Sequence, residues 1–305
     1  MNFGLLLCAL FSVLWLISQL SNVEPFVDLI LINGVFQLLL FAVVACVPFL
    51  RTGRMSYVDI AWPFGVALIG ALILVLAEGN TVRIIAVGSV YLFIGLRMGL
   101  GALTMAKTTG VIFKTEFPRY IYRKEMLEKT GEKHHRLHML AEIMAQGFAN
   151  MSVLAIPGFL IATNSAAAFS MWEIAGIAIW GVAYLFESTA DAQKMLFISK
   201  HKRSVCNVGL WRYSRHPNYF AEWLVWTGLV VATVPSWWSL YSIESTIVWI
   251  ALGVGSVGAS AMLYITLVYL TGAIPSEYFS VQKRPDYARY QQTTNRFFPW
   301  FPKDL

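Results

Sequence analysis

The residues of this 305-residue chain that are best suited to chemistry are concentrated between positions 209 and 223. The segment reads Gly-Leu-Trp-Arg-Tyr-Ser-Arg-His-Pro-Asn-Tyr-Phe-Ala-Glu-Trp and lies at the beginning of a predicted membrane helix. Because a bilayer core penalises polar groups, such a cluster at the entrance of a helix indicates a binding or catalytic site. Its candidate residues are Arg212, Tyr213, Arg215, His216, Asn218, Tyr219 and Glu222.

A second polar group precedes this segment. Glu187, Asp191 and Lys194 are spaced four and three residues apart, so their side chains share one face of a helix. A solvated helix end is the alternative explanation of this group. A basic run at 200–203 follows at once.

The side-chain types of both groups suit a nucleotide that carries phosphates. Guanidinium groups bind phosphate bidentately and stay charged. Asn218 and Glu222 can hydrogen-bond an amide or a hydroxyl, and Asp191 can accept a hydrogen bond from a ribose. The aromatic faces of the segment suit a planar ring. A Gly-x-Gly-x-x-Gly spacing at 253–258 lies inside an apolar span and instead indicates close helix packing.

Composition places this site in a membrane protein. Hydrophobic residues make up 57% of the chain, charged residues only 13%, and the mean hydropathy is +0.61. Apolar runs near the length of a membrane span predict an all-α, polytopic bundle of seven or eight transmembrane helices in one domain, 1–305. We expect spans at about 3–20, 29–48, 62–77, 83–103, 140–162, 172–190, 219–235 and 246–270.

The net charge of +6 reflects topology and some affinity for anionic membrane lipids, and not nucleic-acid binding. With both termini in the cytoplasm, the inner loops hold nearly all of the 23 basic residues, and only Arg83 lies at an outer boundary. This is the positive-inside pattern. It predicts an integral membrane protein whose polar site faces the cytoplasm.

The cytoplasmic segment 107–138 alternates charged and aromatic residues and predicts an interfacial helix lying on the lipid headgroups. His134, His135 and His138 lack carboxylate or cysteine partners at helical spacing, so no metal is expected. The three cysteines fit no metal or disulfide spacing either.

Two charged residues of the amino-terminal half are catalytic candidates. Asp59 lies at the cytoplasmic end of the third span, and Arg97 lies within the fourth. Charges inside a membrane are functional candidates by default and usually pair. We expect Arg97 to pair with Asp59 or with one of the carboxylates Glu142, Glu187 and Glu222. A helix-capping Asp59 and an Arg97 that reaches the interface are the simpler alternatives.

The sequence Leu-Trp-Arg-Tyr-Ser-Arg-His-Pro-Asn-Tyr at 210–219, followed by Glu222, resembles the carboxy-terminal core of steroid 5α-reductases. It also resembles the related sterol reductases and isoprenylcysteine carboxyl methyltransferases. The Asp-x-x-Trp element at 59–62 also resembles bacterial 5α-reductase-like membrane proteins. The resemblance covers 180–302 strongly and the first half weakly. The same pattern includes Asp191, Glu277, Arg284, Tyr287 and Tyr290.

The resemblance implies that the last spans bind a large cofactor from the cytosol. That cofactor is NADPH in the reductases and S-adenosylmethionine in the methyltransferases. By position, the resemblance implies contacts to the nicotinamide nucleotide from Asp191, Asn218, Glu222, Glu277, Arg212, Arg215 and Tyr287.

Steroid 5α-reductases also use a Tyr and a Glu in early spans to polarise the substrate carbonyl. This chain has no matching pair, and Asp59 and Arg97 are the predicted substitutes.

Two enzymatic functions follow as expectations. The first is an NADPH-dependent reductase of an activated double bond in a lipid-like substrate, which the cations beside the motif favour because NADPH carries phosphates. The second is a methyltransferase acting on a lipid or a prenylated thiol. A transporter or scaffold is a third class, but the chain lacks the inverted repeats typical of transport.

Overall fold

The computed structural model describes residues 18–131, 133–201 and 204–303. No strand occurs in these ranges; a single bridge joins Val111 and Thr115. Helical structure dominates, as the sequence predicts. The α-helices are α1 (Glu24–Phe41), α2 (Val47–Thr52), α3 (Val58–Leu76), α4 (Thr81–Thr109), α5 (Pro118–Lys129), α6 (His135–Met151), α7 (Ala155–Ala162), α8 (Met171–Lys200), α9 (Pro217–Ser239), α10 (Thr246–Ile265), α11 (Ala273–Lys283) and α12 (Tyr287–Thr293).

Five helical segments are long and apolar enough to cross a membrane, which indicates an integral membrane protein. They are Glu24–Thr52, Met55–Leu76, Thr81–Thr109, His135–Ala162 and Thr246–Lys283. They coincide with the second, third, fourth, fifth and eighth predicted spans. The sixth and seventh coincide with α8 and α9, which are not among the five. The first predicted span, which contains Cys8, lies almost entirely outside the described residues. Lys202 and Arg203 of the basic run at 200–203 also lie outside them.

The chain forms two compact units. The first unit comprises residues 1–173 and 232–259, and the second comprises 174–231 and 260–305. Helices α9 and α10 therefore each contribute to both units.

A buried amide network joins three helices of the first unit. The Asn33 amide donates to the Asn150 carbonyl over 3.1 Å, and the Gln37 amide donates to the Gly65 carbonyl over 2.8 Å. The Asn150 amide donates to the carbonyl of Trp62 over 2.9 Å. These residues belong to α1, α3 and α6. Hydrogen bonds of this kind hold membrane helices together where the hydrophobic effect contributes little.

The segment 107–131 packs against the rest of the first unit. The Glu116 carboxylate accepts hydrogen bonds from the backbone amides of Met55 and Ser56. Tyr120 is buried, and Arg119 forms an ion pair with Asp59 over 2.6 Å. These contacts account for part of the charged and aromatic pattern, and the position of the segment on the lipid headgroups stays a prediction.

Arg83, the one basic residue predicted at an outer boundary of the membrane, is neutralised by an ion pair within the first unit. Its guanidinium forms a buried ion pair with Glu173, with 2.5 Å between Nε and Oε1, and donates to the carbonyls of Ala166 and Ala168. The side chain is only 2% exposed. Arg83 thus fixes the loop before α8 and is not a free surface charge.

The glycine-rich stretch of α10 contains positions of close packing, in agreement with the sequence interpretation. A Cβ atom at Gly253 would lie 2.8 Å from the ring of Trp237, and one at Gly255 would lie 2.6 Å from Ile156.

The amide network generates a stability prediction. A methyl group at Gly65 would overlap the side chains of Asn150 and Gln37, whereas one at Gly101 would meet nothing within 4 Å. We expect Gly65→Ala to destabilise the protein by about 1–3 kcal/mol through overpacking. Thermal unfolding in detergent measures the effect, with Gly101→Ala as the matched helical control. Equal midpoints for the two variants would contradict the network's role.

Candidate functional site

The motif at 209–223 begins with a turn that is anchored to α8, and all of the following contacts lie within the second unit. Gly209 adopts a left-handed conformation, with φ of 56°, at the start of a 3₁₀ turn, Gly209–Arg212. The side chain of Gln193 occupies the space that a Cβ at Gly209 would need. The next amide, of Leu210, donates to Gln193 Oε1 over 2.8 Å. A glycine is therefore required by both backbone angle and space.

Trp211 is the buried centre of this turn. Its indole nitrogen donates to the carbonyl of Ala190 over 2.8 Å, and the ammonium of Lys194 lies 4.0 Å from its ring centroid. The Tyr290 hydroxyl donates to the carbonyl of Trp211 from the carboxy-terminal side. Trp211 thus ties α8, the motif and α12 together.

Arg215 forms the most extensive polar contacts of the motif. Its Nε and Nη2 donate to the two oxygens of Glu277 over 2.7 and 3.2 Å. Its Nη1 donates to the carbonyls of Gln291 and Thr294. Both charged side chains are about 5% exposed. A bidentate, buried arrangement of this kind is strongly directional.

His216 shares the same carboxylate. Its Nε2 lies 3.1 Å from Glu277 Oε1, and its ring stacks on Tyr219 with centroids 5.2 Å apart. Burial lowers the pKa of His216 below its usual 6.5, although the neighbouring Glu277 opposes part of the shift. His216 is therefore neutral at pH 7.

We call Arg215, His216 and Glu277 the buried triad. The Gln291 amide adds a further hydrogen bond to Glu277 over 3.0 Å. The triad links the motif to α11 and to the segment after α12, so its members have a structural role. Their contact with a cofactor stays a prediction.

Other predicted residues of the site are half-buried. The Asn218 amide donates to Asp191 Oδ1 over 3.1 Å, while Asn218 Oδ1 has no hydrogen-bond partner in the described part of the chain. Lys194 and Arg284 lie close enough for their charges to interact. Burial lowers the pKa of Lys194, and the positive charge of Arg284 lowers it further, against the opposing effect of Cys206 and Asp191.

The remaining predicted residues differ in exposure. Glu187, Tyr219 and Glu222 are half-buried and have interaction partners, whereas Arg212 and Tyr213 are exposed. Tyr287 is buried against the triad region, and burial raises the pKa of its hydroxyl.

Comparison with known proteins places this geometry in a family. A family model described as a protein of unknown function, DUF1295, matches residues 45–294, which is more than half of the chain. The chain belongs to the DUF1295 family. This family is part of the steroid 5α-reductase-like superfamily, so the resemblance seen in the motif is confirmed at that level. No curated protein and no solved structure matches the chain.

Several structural residues of this DUF1295 protein were not singled out by the sequence analysis. Gln193 supports the turn at Gly209, and Gln291 supports the buried triad. Ser214 donates to the carbonyl of Phe297 over 2.9 Å and accepts from the amide of His216. Their partners are mostly backbone groups, which leave no signal in side-chain spacing.

The predicted catalytic residues of the DUF1295 chain lie in the first unit. Asp59 Oδ1 accepts from Arg119 over 2.6 Å, a partner the sequence analysis did not consider. The Tyr120 hydroxyl lies beside the same carboxylate. Glu142 pairs with Arg123 over 2.6 Å, and Arg97 is half-buried with a partner. In the described residues, no three His, Cys, Asp or Glu side chains are grouped to hold a metal ion.

The buried triad of the DUF1295 protein should dominate the stability of its second unit. Glu277→Ala would leave the Arg215 charge buried without a carboxylate, at a cost of about 3–5 kcal/mol. The matched control is Glu128→Ala, which removes an exposed ion pair with Lys124 and should cost under about 1 kcal/mol. Thermal midpoints and proteolytic release of the carboxy-terminal residues report the difference. Similar midpoints would refute the role of the triad.

His216 should make stability depend on pH. Because burial lowers its pKa, the unfolded chain takes up a proton near pH 6.5 that the folded chain does not. Stability is therefore complete above pH 6.5 and decreases as the pH falls below it. We expect the thermal midpoint to fall between pH 7 and pH 5.5, and to fall less in His216→Gln. The exposed His134→Gln variant should retain the wild-type dependence; an unchanged slope in His216→Gln would contradict the assignment.

Proposed function

We propose that this protein is an NADPH-dependent oxidoreductase acting on CH–CH groups, which reduces an activated double bond in a lipid-like, steroid or enone-type substrate. The proposed setting is the bacterial inner membrane, with the cofactor site facing the cytoplasm and a role in lipid metabolism. Membership of the steroid 5α-reductase-like superfamily supports the reaction class, and the geometry of the second unit supports the cofactor.

The observation that carries the proposal is the pair of like charges on Lys194 and Arg284. Neither side chain is in an ion pair among the described residues, and burial together with the positive charge of Arg284 lowers the pKa of Lys194. A phosphate placed between them would oppose that shift, since charge-assisted hydrogen bonds to phosphate are among the strongest in proteins. S-adenosylmethionine carries no phosphate and would leave both cations without an anionic partner.

The same region offers groups for the rest of a nucleotide. Asn218 Oδ1 is buried without a partner and can accept a hydrogen bond from an amide or a hydroxyl. Asp191 holds the Asn218 side chain in place by accepting a hydrogen bond from the Asn218 amide group. An unpartnered buried acceptor is costly unless a ligand satisfies it. Lys194, Arg284, Asp191 and Asn218 are therefore the residues we assign to the cofactor.

The structure narrows the set of cations available to phosphate. Arg215 uses four of its donor groups on Glu277 and on backbone carbonyls, and its side chain is 6% exposed. It therefore supports the site from within, and Arg212, which is exposed, is the better placed of the two motif arginines.

The nicotinamide of NADPH, when bound, supplies a hydride to the double bond. On the protein side, a group must donate a hydrogen bond or a proton to the substrate: Arg97 remains our candidate donor, and Asp59, which is ion-paired with Arg119, remains our candidate for orienting a donor. The Arg119 guanidinium fixes the orientation of the Asp59 carboxylate. Asp59 is therefore a polar group held in a fixed orientation at the end of the apolar helix α3.

Titration calorimetry of the purified protein with NADPH, NADH and S-adenosylmethionine tests the proposal. We expect NADPH to bind more tightly than NADH, because only NADPH carries the 2′-phosphate. Lys194→Gln should weaken NADPH binding by roughly tenfold or more, the value of a charge-assisted hydrogen bond. Lys283→Gln is the matched control, because Lys283 also lies over an aromatic ring, of Phe279, but on the surface.

Two outcomes would overturn the proposal. Binding of S-adenosylmethionine alone would identify a methyltransferase. Equal NADPH affinities of the Lys194 and Lys283 variants would place the phosphates elsewhere.

A further inference from the structure

A groove at the carboxy-terminal end of α8 has no part in the proposed cofactor site. It has a volume of about 380 Å³ and is open to the exterior. Leu196, Phe197 and Val208 form its apolar lining, and Lys200 and His201 form its polar end. This volume lies within the range of pockets that hold small molecules.

The groove occupies a different face of α8 from the polar residues Glu187, Asp191 and Lys194. Residues 193, 196, 197 and 200 form one stripe at helical spacing, while Glu187, Asp191 and Lys194 form another. At 100° per residue, the centres of the two stripes are roughly 140° apart about the helix axis. Lys194 is held over Trp211, and Lys200 is not. A ligand in the groove therefore cannot share the Lys194 contacts.

The chemistry of the groove combines unpaired positive charge with exposed apolar surface. Within the described part of the chain, Lys200 and His201 form no ion pair, and both are exposed. Leu196 is 64% exposed and Val208 is 44% exposed. A soluble phosphate compound would use only the cationic end. A molecule with an anionic head and an apolar tail would use both parts.

The position of the groove along α8 fits a membrane surface. Helix α8 has 30 residues, and the predicted span 172–190 ends about ten residues before Lys200, which corresponds to about 15 Å of helix. With the predicted span 172–190, the groove would lie at the depth of the headgroups or just beyond. Basic residues at that level attract anionic lipids.

We infer that this groove binds an anionic phospholipid, with the headgroup phosphate at Lys200 and His201 and the lipid's apolar part along Leu196 and Val208. The site is independent of the proposed reaction. It would fix the end of α8 against the membrane surface and so hold the helix that carries Asp191 and Lys194.

Native mass spectrometry of the full-length protein in a zwitterionic detergent tests this site. The probes are phosphatidylglycerol, phosphatidylcholine with the same acyl chains, and glycerol 3-phosphate. We expect phosphatidylglycerol to bind in preference to phosphatidylcholine. Lys200→Gln should weaken that binding about fivefold, the usual effect of one basic residue at a lipid surface. Leu196→Gln should weaken it as well.

The control is Lys107→Gln, which removes the same charge from the last turn of another long helix, α4. Equal phosphatidylglycerol affinities of the Lys200 and Lys107 variants would overturn the inference. Binding of glycerol 3-phosphate that depends on Lys200, without an effect of Leu196→Gln on phosphatidylglycerol, would show a site for a soluble phosphate and overturn it too. Circular dichroism of the variants, whose substitutions are on exposed residues, confirms that they are folded.

Discussion

The second unit depends on one buried carboxylate. Glu277 receives two hydrogen bonds from Arg215 and one from Gln291, and it lies within hydrogen-bonding distance of His216. Removing charges from water is costly, and this cost is offset only when every partner is well placed. The motif, α11 and α12 must therefore all adopt their observed positions together, and the turn Gly209–Arg212 is fixed against α8, the helix of Asp191 and Lys194, as a consequence.

This arrangement separates the polar residues of the candidate site in the second unit into two classes. Arg215 and His216 point inward and hold the fold, whereas Lys194, Asn218 and Arg284 retain polar capacity that the described residues do not satisfy. The two classes look the same in sequence, because both are charged or amide side chains near a helix entrance. The two classes are distinguished only by their hydrogen-bond partners in the structure: a residue that supports the site is already satisfied by protein groups, whereas one that can bind a ligand is not.

Local pattern predicted the helical fold and the positions of the apolar helices, since hydropathy and helix length are properties of short stretches of sequence. It also predicted the Asp191–Lys194 face and the close packing at Gly253 and Gly255. It could not predict the partners of Asp59 and Glu277, which are 60 and 62 residues distant in the chain. The contacts of the segment 107–131 with the first unit were not predicted for the same reason: an amphipathic helix has the same pattern whether it covers protein or lipid.

The contacts of Arg215 to the carbonyls of Gln291 and Thr294 carry a consequence for sequence variation. Any residue can supply a backbone carbonyl, so these two contacts place no demand on the side chain at either position, although the Gln291 amide is constrained separately by its hydrogen bond to Glu277. Arg215 has no such freedom, because a lysine ammonium cannot replace a planar guanidinium that serves two carboxylate oxygens and two carbonyls at once. We therefore expect related chains to keep this arginine even where other residues supply the two carbonyls.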